Sequence, residues 1–202
     1  MATPIDTLEL HINIFRDDLL NLPPMEIIRK YITTGSPLML SEDEYFSLRN
    51  EIASAFHLHP SAIILVGSSR TGFSMKPEKR YQAASHNSDL DVAIVSSEKF
   101  DDYWERVFEY AQSNSAWKNS YRFRMFQQNL FRGWIDPRGL PPVKSFQEAR
   151  HWTDFFDSMM QSRRFGTRRI SARLYRTWSR LEAYQEKAVR QCIANQGAER
   201  HA

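Results

Sequence analysis

Ala62-Ile63-Ile64-Leu65-Val66-Gly67-Ser68-Ser69-Arg70-Thr71-Gly72 and, after a polar and basic segment, Ser88-Asp89-Leu90-Asp91-Val92-Ala93-Ile94 decide how this chain is read. Residues 62–66 are a short, continuous apolar run bounded by Pro60 and Gly67, the pattern of a fully buried strand. From Leu90 to Val95 the pattern alternates. Leu90, Val92 and Ile94 fall on one face of a second strand, and Asp89, Asp91 and Ala93 on the other. Two carboxylates at i and i+2 on a strand point the same way and repel each other. Such a pair needs a cation, a shared proton or a basic partner. Oxygen-only donors suit Mg²⁺, which takes one or two carboxylates and completes its shell with water and substrate phosphates. The Gly67-Ser68 turn offers backbone N–H groups and a hydroxyl, the means by which a turn holds phosphate. A phosphate cradle beside a carboxylate pair is a phosphoryl-transfer layout.

The flanking sequence supplies helices. Residues 1–35 read as mostly helical with a break at Pro23-Pro24, and Met25 to Ile32 repeats apolar residues at helical spacing. Ser41-Glu42-Asp43-Glu44 is a helix start, a serine cap followed by acids that suit the positive end of the helix dipole. That helix runs through Tyr45, Leu48, Ile52 and Phe56 and ends at His57-Leu58-His59-Pro60. Ser97 caps another, with Phe100, Trp104, Val107, Phe108 and Ala111 as its expected apolar stripe. Phe123 to Phe131 is compatible with a helix, whereas Gly133, Pro137, Gly139 and Pro141-Pro142 impose irregular backbone. Residues 145–160 form an amphipathic helix and Arg169 to Tyr175 alternates as a strand. A last helix passes through Trp178, Leu181, Tyr184, Ala188 and Cys192.

Composition bounds the function. With 42% apolar and 25% charged residues, a chain of 202 residues holds one well-buried domain. The single cysteine, Cys192, excludes an internal disulfide framework and a thiolate zinc cluster, and fits a reducing compartment. No run approaches the roughly 18 apolar residues that span a bilayer. Asp6 and Glu9 stand where a secretory leader carries basic residues, so the expected location is cytoplasmic with no membrane partner. The net charge of +3 is unevenly spread. Residues 1–60 hold four Lys/Arg against nine Asp/Glu, and residues 160–202 hold ten against three. A polyanion is therefore drawn to the C-terminal region, unless those arginines are simply a solvated helix face.

Gly67 and Gly72 also have the G-x-x-x-x-G spacing of a P-loop. Phe73 stands where that motif requires its phosphate-binding lysine, and the motif fails. The order of strand, Gly67-Ser68, a helical turn with a second glycine at Gly72, and a strand bearing Asp89-Leu90-Asp91 instead resembles the DNA polymerase β-like nucleotidyltransferases over residues 60–115. The resemblance implies an α+β fold with a small mixed sheet flanked by helices. Residues 1–58 would form a helical N-terminal extension and residues 116–202 would complete the single domain with a basic C-terminal helix. It further implies Mg²⁺, or Mn²⁺ in its place, at a two-metal site. Transfer of a nucleoside monophosphate from an NTP such as ATP to a hydroxyl on RNA, protein or a nucleotide would follow. Asp89 and Asp91 would hold metal, and Gly67, Ser68, Ser69, Arg70 and Lys76 would contact the nucleotide.

Two departures from that pattern stand out. The spacer between Gly72 and Asp89 is long and carries Lys76, Lys79, Arg80 and His86. The third metal carboxylate is not evident: the later strand offers Ser171 and Arg173, so Asp136 is the candidate, ahead of Asp154 and Asp157. A module that holds nucleotide or RNA without turnover and regulates a partner, as in toxin–antitoxin or anti-phage systems, is the alternative reading. Residue by residue, bland roles compete as well. Asp89 would cap a turn and Asp91 pair with an arginine, Arg70 would face water, and His57 and His59 would be solvated or capping residues at a helix end. Cys192, the aromatic residues at 152–156 and Trp178 would belong to the core.

Overall fold

The structure, a computed structural model, describes residues 4–200; the ends of the expected terminal helices, residues 1–3 and 201–202, lie outside the described residues. In chain order the elements are α1 (Pro4–Asn21), α2 (Pro24–Ile28), which continues as one π-helical turn over Arg29–Thr33, α3 (Glu42–Phe56), β1 (Ile63–Val66) and α4 (Ser68–Thr71). They continue with β2 (Leu90–Val95), α5 (Ser97–Ser113), α6 (Ser115–Lys118), α7 (Tyr121–Phe131), β3 (Trp134–Ile135), α8 (Gln147–Gln161), β4 (Ile170–Tyr175) and α9 (Trp178–Arg200). The expected α+β class holds, as a four-stranded mixed sheet in the order β1-β2-β4-β3. β1 runs antiparallel to β2, β2 parallel to β4, and β3 antiparallel to β4.

Alternation along the strands sends their side chains to two separate cores. Ile63, Leu65, Leu90, Val92, Ile94, Ile170, Ala172 and Leu174 pack beneath α3, α5, α7 and α8. Ile64, Val66, Ala93, Trp134 and Tyr175 pack against α1, α2 and α9. α1 and α2 therefore supply one side of the second core together with α9, and α3 belongs to the first. On α1, burial of the Asp18 carboxylate works against its ionisation. Hydrogen bonds from Lys30 Nζ at 2.6 Å and from the Tyr31 hydroxyl outweigh it and hold Asp18 below its ordinary range. A lowered carboxylate pKa adds stability that is complete above the unfolded value near 3.8 and disappears as pH falls through the folded value. Thermal melts of the parent and Asp18→Asn are accordingly expected to differ at neutral pH and to converge as pH falls through the lowered folded value.

Ser41 caps α3 as the sequence predicts, in a full capping box: Glu44 N–H donates to Ser41 Oγ, and Ser41 N–H donates to Glu44 Oε2. His57 closes that helix in the left-handed conformation and His59 caps the turn Pro60–Ala62. The α5 stripe differs from expectation. Its inward residues are Phe100, Tyr103, Val107 and Ala111, while Trp104 (47% exposed) and Phe108 (56%) face out. The N-cap of α5 is Ser96 rather than Ser97, and the buried residues follow the 3–4–4 spacing 100, 103, 107 and 111, which leaves positions 104 and 108 one residue off that face. Trp152, Phe156 and Cys192 are buried as expected, but Trp178 is 40% exposed at the start of α9. The short strand β3 falls within the stretch that its glycines and prolines mark as irregular. Backbone pairing with the end of β4 makes it a strand, a tertiary cause outside its own residues.

Candidate active site

The antiparallel pairing of β1 with β2 places Val66 opposite Asp91, so the chain leaves β1 at Gly67 where β2 begins. Gly67 has φ 67° and ψ −156°, backbone that residues with a side chain essentially do not adopt. There is also no room for one: a Cβ on Gly67 would lie 3.0 Å from Asp91 Oδ2. Glycine is therefore what lets the phosphate-type turn lie directly against the carboxylate. From Gly67 the chain enters α4, whose internal bonding starts with Arg70 N–H and Thr71 N–H, both donating to the Gly67 carbonyl. The amides of Ser68 and Ser69 precede those bonds, as the opening N–H groups of any helix do. Asp91 is half-buried in β2, and Asp89 is exposed one residue before the strand. By the strand alternation Asp91 lies on the face of Ala93, which packs against α1, α2 and α9.

The parallel register of β2 with β4 sets Ser171 beside Asp91, and Ser171 Oγ donates to Asp91 Oδ1 at 2.7 Å. This contact is the main feature beyond reach of the sequence. Ser171 and Asp91 are visible as residues of two strands, but nothing local dictates that these strands pair in this register. Two positions farther along β4, Arg173 is held over the rings of Trp134 (4.8 Å) and Tyr184 (5.4 Å), and donates to Tyr184 Oη at 2.6 Å. Burial lowers the pKa of this guanidinium, but its neighbours Tyr184 and Tyr175 outweigh that and raise it. It stays cationic beside the carboxylate face.

Several candidate residues lie elsewhere than expected. Ser69 is fully buried, with Oγ donating back to the Val66 carbonyl at 3.1 Å. Arg70 is 3% exposed, and its Nη2 donates to the carbonyls of Thr34 and of Gly35 (2.7 Å for the latter). Its guanidinium clamps the loop before α3 to α4 instead of reaching out to phosphate. Burial pushes its pKa below the ordinary arginine value, partly offset by Tyr45. Removing that clamp leaves two carbonyls without their donor. Arg70→Ala is therefore expected to cost about 2–4 kcal/mol of stability, read by denaturant unfolding. Lys76 is exposed at the head of the turn Pro77–Lys79, which belongs to the long spacer.

The third carboxylate is not brought to the pair. Asp136 follows β3, with β4 between it and β2, so it stands about two strand spacings (roughly 10 Å) from Asp91. Both its oxygens are engaged by Arg138, Nε at 2.9 Å from Oδ1 and Nη2 at 2.6 Å from Oδ2. Asp154 and Asp157 are exposed on α8. Among the described residues no group of three His, Cys, Asp or Glu side chains is arranged to hold a metal ion. The oxygen groups here are the Asp91 carboxylate with the Ser171 hydroxyl bonded to it, and Asp89 one residue before the strand. Oxygen donors of this kind suit a hard cation such as Mg²⁺, and they are too few to hold a pair of ions.

The C-terminal arginines are also divided in their roles. Arg168 is buried, donating to the carbonyls of Met39 (2.8 Å) and His86 (3.2 Å), and Arg164 pairs with Glu51. Arg163 and Arg169 are exposed. No helix among the described residues is long and apolar enough to cross a membrane. Comparison of the chain with protein-family models, with curated proteins and with solved structures gave no match.

Proposed function

We propose that this chain binds the triphosphate of an NTP at the Gly67-Ser68 turn and transfers a nucleoside monophosphate to a hydroxyl acceptor on RNA, protein or a nucleotide. The observation that carries the reading is the abutment of Gly67 and Asp91, which puts a phosphate-type turn within a Cβ radius of a carboxylate. Asp89 and Asp91 would hold Mg²⁺, which supplies charge neutralisation for the triphosphate. The Ser68 hydroxyl and the first amides of α4 would orient the phosphates, and Ser171 would fix the Asp91 carboxylate in one rotamer. The acceptor hydroxyl oxygen bonds to the α-phosphorus as the bond from that phosphorus to the α–β bridging oxygen breaks; pyrophosphate leaves and the hydroxyl proton passes to solvent. Incubation with each labelled NTP, Mg²⁺ or Mn²⁺ and candidate acceptors is expected to release pyrophosphate. Release that is absent, or unchanged in Asp89→Ala/Asp91→Ala, overturns the reading.

A second reading has its own observation. Ser171 occupies the neighbouring-strand position beside Asp91, and the described residues offer no third acid there. On that basis the same site holds nucleotide without turnover and regulates a partner. Nucleotide binding with no product under any acceptor condition favours it; a product that depends on both aspartates rules it out.

A further inference from the structure

The long spacer between Gly72 and Asp89 folds into an excursion of its own. Phe73 bridges to Ala83, Ser74 N–H donates to the Gln82 carbonyl at 2.9 Å, and Tyr81 N–H donates to the Ser74 carbonyl at 2.8 Å. Phe73 and Tyr81 pack against Phe15 of α1, and Tyr81 Oη donates to Gln196 of α9 at 3.2 Å. Between this excursion and α1 lies a surface hollow of about 580 Å³ lined by Arg16, Pro77, Glu78, Lys79, Arg80, Tyr81 and Gln82. Its charged lining is Arg16, Lys79, Arg80 and Glu78, with Arg16 and Arg80 also engaged by other groups of the chain.

At the centre of that lining, Arg16 and Arg80 each lie over the Tyr81 ring, at 5.4 and 5.5 Å from its centroid. The two guanidinium charges are thereby held beside the ring that lines the hollow, and guanidinium N–H groups are the donors that recognise phosphate. Tyr81 presents this arrangement from strained backbone, with φ +61°, a conformation that a bulky residue keeps only where packing enforces it. We propose that the hollow binds the phosphodiester backbone of a single-stranded nucleic acid, with Arg16, Lys79 and Arg80 contacting phosphates and Tyr81 as the positioning residue. The hollow is open and lined mainly by charge, so it does not bury a base as a mononucleotide site does. Neutralising successive phosphates needs no such burial. Binding here requires neither NTP nor metal, and its outcome is independent of whether Asp89 and Asp91 support turnover.

The test is fluorescence anisotropy of a labelled single-stranded RNA 20-mer without nucleotide, from low to moderate salt. The full chain is expected to bind with a steep salt dependence. Arg16→Ala/Lys79→Ala/Arg80→Ala is expected to bind at least tenfold more weakly, with a salt slope lower by about 2, given about 0.7 per phosphate contact on single strands. Lys79→Glu, on an exposed turn, gives the same direction without touching the packed residues. Tyr81→Phe retains binding and Tyr81→Leu loses it, with melting temperatures recorded for each. Absent RNA binding overturns the proposal, as does parent-like affinity and slope in the triple variant. Competition by ATP or inorganic phosphate as effective per phosphate as RNA overturns it too, by making the hollow a small-anion site.

Discussion

Asp91→Ala is expected to lower Mg²⁺-dependent pyrophosphate release by at least about 100-fold while leaving the protein folded, because loss of one preorganised electrostatic group at a phosphoryl-transfer site typically has that effect. The fold should tolerate the change. Asp91 is half-buried, its one side-chain hydrogen bond among the described residues is the 2.7 Å bond from Ser171, and its strand neighbour Ala93 already carries a methyl group on the same face. Asp89 is more exposed and makes a smaller demand on the fold, so Asp89→Ala should lose activity with an unchanged melting temperature. Pyrophosphate release against NTP concentration, with circular dichroism melts alongside, separates the two effects. An Asp91→Ala protein that melts normally and turns over at the parent rate would remove this carboxylate from the chemistry.

Gly67→Ala is expected to fail in both respects. The residue sits at φ 67°, ψ −156°, so any side chain there carries a backbone cost of about 1–3 kcal/mol. The new methyl would meet Asp91 Oδ2 at 3.0 Å, and either the turn or the carboxylate must shift. Moving the carboxylate breaks the bond from Ser171, and moving the turn displaces the amides of Ser68 and Ser69 from it. Nucleotide affinity is therefore expected to fall at least tenfold together with the loss of stability, as read by calorimetry and denaturant unfolding. Glycine at 67 is dispensable if Gly67→Ala unfolds at the parent denaturant midpoint and binds NTP with parent affinity.

Much of this architecture is legible locally. The apolar run at 63–66, the alternation at 90–95 and the capping box at Ser41 and Glu44 each encode their own element, because burial and capping act within a few residues. What the sequence does not carry is set by contacts across the chain. The inward turn of Arg70 depends on carbonyls 35 and 36 residues away, so a basic residue beside a glycine turn reads as a phosphate ligand until that loop is placed. The partner of Asp91 depends on a parallel pairing with a strand 80 residues later. Asp136 looks like a free acid near a strand, yet Arg138 two residues on takes both its oxygens. The sharpest gain is at the spacer, where Lys79 and Arg80 read as an insertion that contacts substrate or covers the site, and the fold sets Arg80 with Arg16 over one tyrosine ring and Lys79 on the same hollow.

The central claim is that Gly67-Ser68 and the two aspartates form one Mg²⁺–nucleotide site. Its most direct measurement is calorimetric titration of an ATP analogue with an uncleavable α–β bridge, with and without Mg²⁺, into the parent chain and into Asp89→Ala/Asp91→Ala. The account predicts saturable, Mg²⁺-dependent binding to the parent that weakens at least tenfold in the double variant. Binding that is indifferent to Mg²⁺ and to both substitutions, or no binding to the parent at all, would contradict it.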